Sequence, residues 1–409
     1  MNCSRSSAPQ SNAPSSAEGS IGAAISTNSS HKGDGFLWRP SKTYDVVALS
    51  NLCVDVVVQV PELPPAELAA RRELLDTLTA SPPPASSWEV GGMTNFLIAA
   101  ARLGMRTAAV GHTGDDAYGQ FLSDILEAEG VGAIEPVAAG VRTPEQNQTL
   151  LCFVLISGSQ HSFVSSYDFG PWPLLPYVDS LSEVVQQVLE DTEALFINGY
   201  ILDEIPASVV VAAAQQAQSA GAAVFFDPGP RAWTFQQGER RAALDAILNV
   251  SDVVLMTQEE ATAVTGVVDA EQAARHVLTR PGTRTEWCIV KQGAEGALLA
   301  SRSRGAVHQQ AAIKLPPQDV RDTVGCGDSF AAAVVLGYTR EHSIPAVMAL
   351  ANAVGAATAM GSGAGRNVAR AETVMRLLGG AAVSCRDGVH CEALQVLTAA
   401  LSSSSESDR

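Results

Sequence analysis

Residues 322–333 read DTVGCGDSFAAA: a turn of small residues, Gly325, Cys326 and Gly327, set against Asp328 and followed at once by an apolar run. Small residues let the backbone fold tightly, so that successive N–H groups converge on an anion at a helix N-terminus. Asp328 would then share a shell with that anion. Negative charge there is unfavourable unless the carboxylate accepts a proton from an attacking group, which is the task of a general base in phosphoryl transfer. The plainer reading is an Asp N-cap for a helix starting near Ser329. The stretch alone leaves both open.

Other stretches carry compatible chemistry. GGMTNFLIAAARLG sets Gly91 and Gly92 before Asn95 and an amphipathic helix. The glycines admit a polar ligand to the backbone while Asn95 bonds a hydroxyl; an ordinary helix start is the bland alternative. Asp55 in NLCVDVVVQV is an acid inside an apolar strand, suited to a ligand hydroxyl or, more simply, to a water-facing strand edge. VKQGAEGALL places Gly293 and Gly296 in a turn that either approaches a nucleotide or closes a plain hairpin. In MTQEEATAVTG, Glu259 and Glu260 follow a strand end, where a carboxylate serves Mg2+ directly or through water, or complements a helix dipole. No GxxxxGK[ST] stretch exists, and GSGAGR lacks GxGxxG spacing, so a dinucleotide enzyme has little support.

Composition narrows the setting. The 409 residues are 46% hydrophobic and 17% charged, enough for a large core and against global disorder. A net charge of −17 argues against nucleic acid or an anionic membrane as partner. It does not exclude a small anion, which backbone N–H groups can hold. The seven scattered cysteines lack zinc-type spacing and fit a reduced intracellular compartment. Ser343–Gly365 is uncharged but rich in Ala and Gly, with Asn352 in its middle, and reads as a buried helix rather than a membrane span. Residues 1–43 form a Ser-rich leader, a disordered tail or an organellar transit peptide, so the address is cytoplasmic or plastid/organellar. Residues 381–409, ending SSSSESDR, read as a polar C-terminal tail.

Between the tails, short apolar runs alternate with helical patterns. YDVVALS, VDVVVQV, TAAVGHTG, ALFINGY, AAVFFDPG, DVVLMTQ and EWCIVKQG read as strands. Helical stretches such as YGQFLSDILEAEG, SVVVAAAQQAQSAG, RAALDAILN and AEQAARHVL separate them. That order predicts an α/β fold with a doubly wound, mostly parallel sheet, ligands gathering beyond the strands' carboxyl ends. Two segments break the rhythm: the Pro-rich 61–87 and the strand–turn–strand TLLCFVLISGSQHSFVSS, either of which suits a small flap over the sheet edge.

In order and together, these stretches resemble the ribokinase/PfkB family of carbohydrate kinases, from about Tyr44 to Leu378. GGMTNFLIAAARLGMRTAAVGHTGDDAYGQF is similar to the family's N-terminal signature and DTVGCGDSFAAAVVLGY to its C-terminal one. The resemblance implies a ribokinase-like domain over 44–380, with lid segments near 45–65 and 135–170, that phosphorylates a sugar hydroxyl from ATP. Asp328 matches the base, and Gly325, Cys326 and Gly327 the anion-hole N–H groups. Asp55, Gly91, Gly92 and Asn95 match acceptor contacts. Thr257, Lys291, Gly293, Gly296 and Asn352 fall in the nucleotide region, Glu260 at Mg2+, and Asp322 with the Val324 carbonyl where a monovalent cation such as K+ is often held. Three departures stand out: Thr257 and Gly229 replace the usual asparagines, and Cys326 a smaller residue. A nucleoside kinase or a non-catalytic scaffold of the same fold remains the alternative. Unpaired lid edges leave a homodimer through the lid open.

Overall fold

The computed structural model describes residues 42–49, 51–136, 147–158, 160–385 and 388–407. The expected leader therefore lies, but for residues 42 and 43, outside the described residues, as does part of the second lid segment. Among the described residues there are thirteen strands: β1 Val46–Leu49, β2 Leu52–Gln59, β3 Trp88–Gly92, β4 Thr107–Gly111, β5 Val131–Pro136, β6 Leu150–Ser157, β7 Gln160–Ser165, β8 Ala194–Asn198, β9 Ala223–Asp227, β10 Val253–Thr257, β11 Trp287–Lys291, β12 Ala297–Ser301 and β13 Val307–Gln310. Interleaved with them are α1 Leu68–Ala80, α2 Thr94–Arg102, α3 Ala117–Ala128, α4 Glu183–Glu190, α5 Ile201–Glu204, α6 Ala207–Ser219, α7 Gly238–Val250, α8 Gln258–Thr265 and α9 Ala270–Leu278. Four more helices close the chain: α10 Cys326–Thr339, α11 Ile344–Ala359, α12 Ala371–Cys385 and α13 Gly388–Ser407.

Nine strands form one sheet in the order β13-β12-β11-β10-β9-β8-β1-β4-β5, parallel from β5 through to β11 and antiparallel at β12 and β13. Helices cover both faces, which is why its strands are continuous apolar runs. In β1, Val46 and Ala48 enter one core with α2, α10 and α11, while Val47 and Leu49 enter the other with α4, α6 and α9. The uncharged stretch is α11, sixteen residues packed on α10, and no described helix is long and apolar enough to cross a membrane.

A second sheet of four strands, β3-β2-β6-β7, makes the lid. Its membership differs from the first lid segment expected near 45–65. β1 belongs to the large sheet, because all four of its residues are buried, whereas β2 keeps a half-exposed face that carries Asp55. β3, which ends on the glycine pair, supplies the lid's other edge. The strand–turn–strand segment is the antiparallel pair β6–β7, and the Pro-rich segment contains α1, which is tied to β7 by Arg71 bonding Ser162 and the Phe163 carbonyl.

The largest correction concerns residues 381–409, which were expected as a polar tail: 388–407 form α13. Its amphipathic start buries Ala393, Val396 and Leu397 in the core shared with α2, α10 and α11. The serines at the chain's end hid the apolar spacing before them. Leu397→Ala is expected to cost about 2–5 kcal/mol, read as a lower urea midpoint. An unchanged midpoint would return the segment to the status of a tail.

Candidate active site

The lid strand β2 meets β3 in antiparallel register, with Asp55 directly opposite Glu89. Gly91 is required by close approach: a Cβ there would stand 2.1 Å from Asp55 Oδ1. Gly92 backs onto Asn51, whose side-chain oxygen accepts from Asn198 Nδ2 at the end of β8. Burial pushes the Asp55 carboxyl up to about 7; Cys53 donating to it works against this, and Glu89 adds to it.

β3 ends at Gly92, and Thr94 starts α2 with its hydroxyl donating to the Gly91 carbonyl at 2.7 Å. Asn95 follows in the first turn. Its Oδ1 accepts from Gly365 N–H at 2.7 Å, and its Nδ2 donates to Asp328 Oδ2 at 3.0 Å. Asn95, expected to bond a ligand hydroxyl, is thus also the partner of the expected base.

α10 begins after Gly325, which adopts φ +79, a left-handed conformation that glycine takes without strain. Gly325 occupies the N-cap position, so Asp328 does not cap the helix; it lies in the first turn and turns its carboxylate to Asn95. Burial raises Asp328 to about 6, offset by the Asn95 N–H and by Lys291, while Asp227 reinforces the rise. Cys326 is pushed up to about 12 by burial and by Asp322 and Asp328, a direction that disfavours the thiolate.

Lys291 closes the far side. Its Nζ bonds Asp227 Oδ2 at 2.6 Å and stands 3.2 Å from where a Gly327 Cβ would be, beside the glycine turn. Burial alone would lower Lys291, but Asp227 and Glu260 outweigh it and hold the ammonium charged. Glu260 is raised to about 7 by burial and by Asp227, against Lys291 and Thr257. It also forms a capping box: Thr257 N–H donates to Glu260 Oε2, and Glu260 N–H donates to Thr257 Oγ1. The helix-start reading therefore holds for this acid, which also stands near Asp227 and Lys291.

Thr257, Lys291, Gly293, Gly296, Cys326, Gly327 and Asn352 line a cavity of about 980 Å³. Gly293 and Gly296 form the tight turn of the β11–β12 hairpin, and that turn lines the cavity. Asn352 on α11 donates to the Gln310 and Ala311 carbonyls, fixing the cavity's far wall. Asp322 accepts from Val324 N–H and Gly363 N–H, tying the glycine turn to the 361–366 loop. Gly229 donates its N–H to Asp227 Oδ1 and leaves open space where a side chain would stand.

Sequence reasoning missed Asp227, Asn51 and Glu89. Asp227 ends β9, and an acid at a parallel strand's carboxyl end was the available signal. Asn51 and Glu89 gave none, since their roles depend on lid residues brought together only by pairing.

Residues 77–371 match the family model described as pfkB family carbohydrate kinase. The chain is 25% identical over 337 residues to 5-dehydro-2-deoxygluconokinase 1 of Bacillus cereus, covering 78% of this chain and 89% of that protein. It is similar in fold to Arabidopsis thaliana ribokinase complexed with ribose and ATP, with a TM-score of 0.62, 20% identity and 82% and 98% coverage. A Xylella fastidiosa fructokinase with bound ATP gives a TM-score of 0.63, 21% identity and coverage of 82% and 99%. With the model spanning most of the chain and the ribokinase-like fold in place, the protein belongs to the pfkB family of carbohydrate kinases, phosphotransferases that act on an alcohol group.

Proposed function

We propose that this chain transfers the γ-phosphoryl group of ATP to a sugar or sugar-acid hydroxyl, with Asp328 as general base. The observation that carries this reading is the placement of Asp328. It is a partly buried carboxylate in the first turn of α10, oriented by Asn95 and next to a glycine turn faced by Lys291. Asp55 and Asn95 hold the acceptor. Asp328 takes the hydroxyl proton as the oxygen attacks phosphorus, the O–P bond to ADP breaks, and ADP leaves with the bridging oxygen. The N–H groups of Gly325, Cys326 and Gly327, with Lys291, offset charge on the phosphoryl oxygens.

The cavity of about 980 Å³, lined by Gly293, Gly296, Asn352 and Thr257, supports ATP as the donor held there. Glu260, close to Asp227 and Lys291, suits Mg2+ held through water, which supplies charge neutralisation on the phosphates. K+ at the Val324 carbonyl, with Asp322 shaping the two loops, belongs to the same proposal. So does a homodimer through the lid, whose β6–β7 hairpin presents a half-exposed Phe163; sedimentation tests it. The similarity to 5-dehydro-2-deoxygluconokinase supports a keto sugar acid as acceptor. An ATP-consumption screen with that compound, ribose, fructose, sugar phosphates and nucleosides decides it.

Asp328→Asn is expected to lower kcat by about 10²–10⁴-fold while ATP affinity and the thermal midpoint stay; near-normal kcat would remove the base assignment. Because the base must be ionised and burial raises its pKa to about 6, kcat/KM should rise with pH through about 6 and level off above it. A flat acid limb from pH 5 to 7 contradicts this. Asp55→Ala should raise the acceptor KM with the ATP KM unchanged, and the reverse pattern would put Asp55 in the other subsite. For Cys326→Ala, most activity should persist. With the thiol raised to about 12, iodoacetamide at neutral pH should inactivate wild type and variant at the same slow rate. Faster loss in the wild type, prevented by ATP, would instead mark Cys326 as a switch.

A further inference from the structure

The lid's β3 edge packs on α2 and, through Trp88, on Tyr118 and Phe121 of α3, and it also meets one short loop of the body that holds the amide orienting the proposed base. Arg366 places its guanidinium on Glu89 of β3, with Nε at 3.0 and 3.2 Å from the two carboxylate oxygens and Nη2 at 3.0 Å from Oε2. The pairing is a fork on a carboxylate, which fixes direction as well as distance. The preceding residue, Gly365, adopts φ +62 and lies so close to the strand that a Cβ would stand 2.7 Å from both Glu89 Oε1 and the Val90 carbonyl. The same Gly365 gives its N–H to Asn95 Oδ1. Since that N–H can only donate, it fixes which end of the Asn95 amide is oxygen and leaves Nδ2 for Asp328. The root of the loop is clamped as well: Arg102 donates to the carbonyls of Arg366 and Val368 and pairs with Glu129.

We propose that Glu89 and Arg366 are positioning residues that couple the seating of the lid to the orientation of Asp328, through Gly365 and Asn95. Neither touches the reacting atoms. When β3 is seated, Arg366 holds the loop, the loop holds the Asn95 amide, and the amide donates to the base. When the ion pair is lost, the Gly365 N–H drifts, the Asn95 amide is free to rotate, and Asp328 loses its donor. The contacts run without a gap from the lid edge to the base, and Asp55 stands opposite Glu89 in the same strand pair. The base would therefore be competent only when the lid that carries the acceptor contact is in place. This coupling rests on the reading of Asp328 as the base.

The test is the pH dependence of kcat/KM, with the best acceptor of the panel above, for Glu89→Gln, Arg366→Met, the double variant and Asp328→Asn. The groups facing Asp328 are Asn95 from α2, Asp227 from β9, Lys291 from β11 and Cys326 from its own helix. Those facing Glu89 are Arg366 and Asp55. Removing the Glu89 anion would, by its field alone, lower the pKa of nearby acids and move the acid limb down. Losing the Asn95 donor removes a bond that favours the carboxylate and moves the limb up. The coupling predicts an upward move of about half a unit or more in Glu89→Gln and Arg366→Met alike. It also predicts an acceptor kcat/KM about 2- to 30-fold lower with the ATP KM unchanged, and a double variant no worse than either single one. A limb that stays or moves down in Glu89→Gln, additive effects, or equal changes in both KM values would overturn the proposal. If those occur while Asp328→Asn is inactive, the coupling fails and the base assignment stands. If Asp328→Asn remains active, both fall.

Discussion

A single side-chain amide holds the centre of this molecule. Asn95 receives the Gly365 N–H on its oxygen and offers its nitrogen to Asp328, so one group joins α2, the 361–366 loop and the first turn of α10. These three segments come from distant parts of the chain, and no other described contact orders all of them at once around the carboxylate. Because the two ends of the amide differ in kind, the arrangement has a sense of direction: rotated by half a turn, it would present oxygen to a carboxylate and lose both bonds.

The electrostatics of the site follow from burial more than from net charge. Four acids gather near the large sheet's carboxyl edge and the lid: Asp55, Asp227, Glu260 and Asp328. The one buried cation among them, Lys291, is paired with Asp227. Three of the four are pushed upward by burial, to between about 6 and about 7, where a proton can be taken up and released near neutrality. The chain's overall charge of −17 is offset locally at the glycine turn, where the Lys291 ammonium stands beside Gly327.

The lid is held on two sides by different chemistry. At the β7 end, Tyr167 donates to the buried Glu204, and Arg231 bridges Asp203 and the Tyr167 carbonyl, so the tie lies out of water. At the β3 end, Glu89 and Arg366 are more exposed, and their tie runs on to Asn95. A buried network suits a permanent anchor and a more exposed fork suits a contact that forms and breaks. On the proposed mechanism, the responsive edge of the lid is then the one next to Asp328.

Much of this was legible in the residues. Alternating apolar runs and helical patterns dictate a parallel sheet covered on both faces, because strands buried on both faces need apolar residues at every position. DTVGCGD and GGMTN announce helix starts, and Asp328 and Asn95 lie in the first turns of those helices. Local patterns failed where a residue's role depends on a distant partner. Residues 388–407 looked like a tail because their terminal serines outweigh an apolar spacing that acquires meaning only against α11. β1 and β2 adjoin in sequence, yet pairing sends one to the large sheet and the other to the lid. Asn51, Glu89 and Arg366 carry no motif at all. The sequence by itself determined the fold class and the two turns, since both follow from periodicity and from what glycine permits. Which acid meets which donor was decided by the tertiary structure alone, because a carboxylate's partner and pKa are set by neighbours that the chain brings near only when it folds.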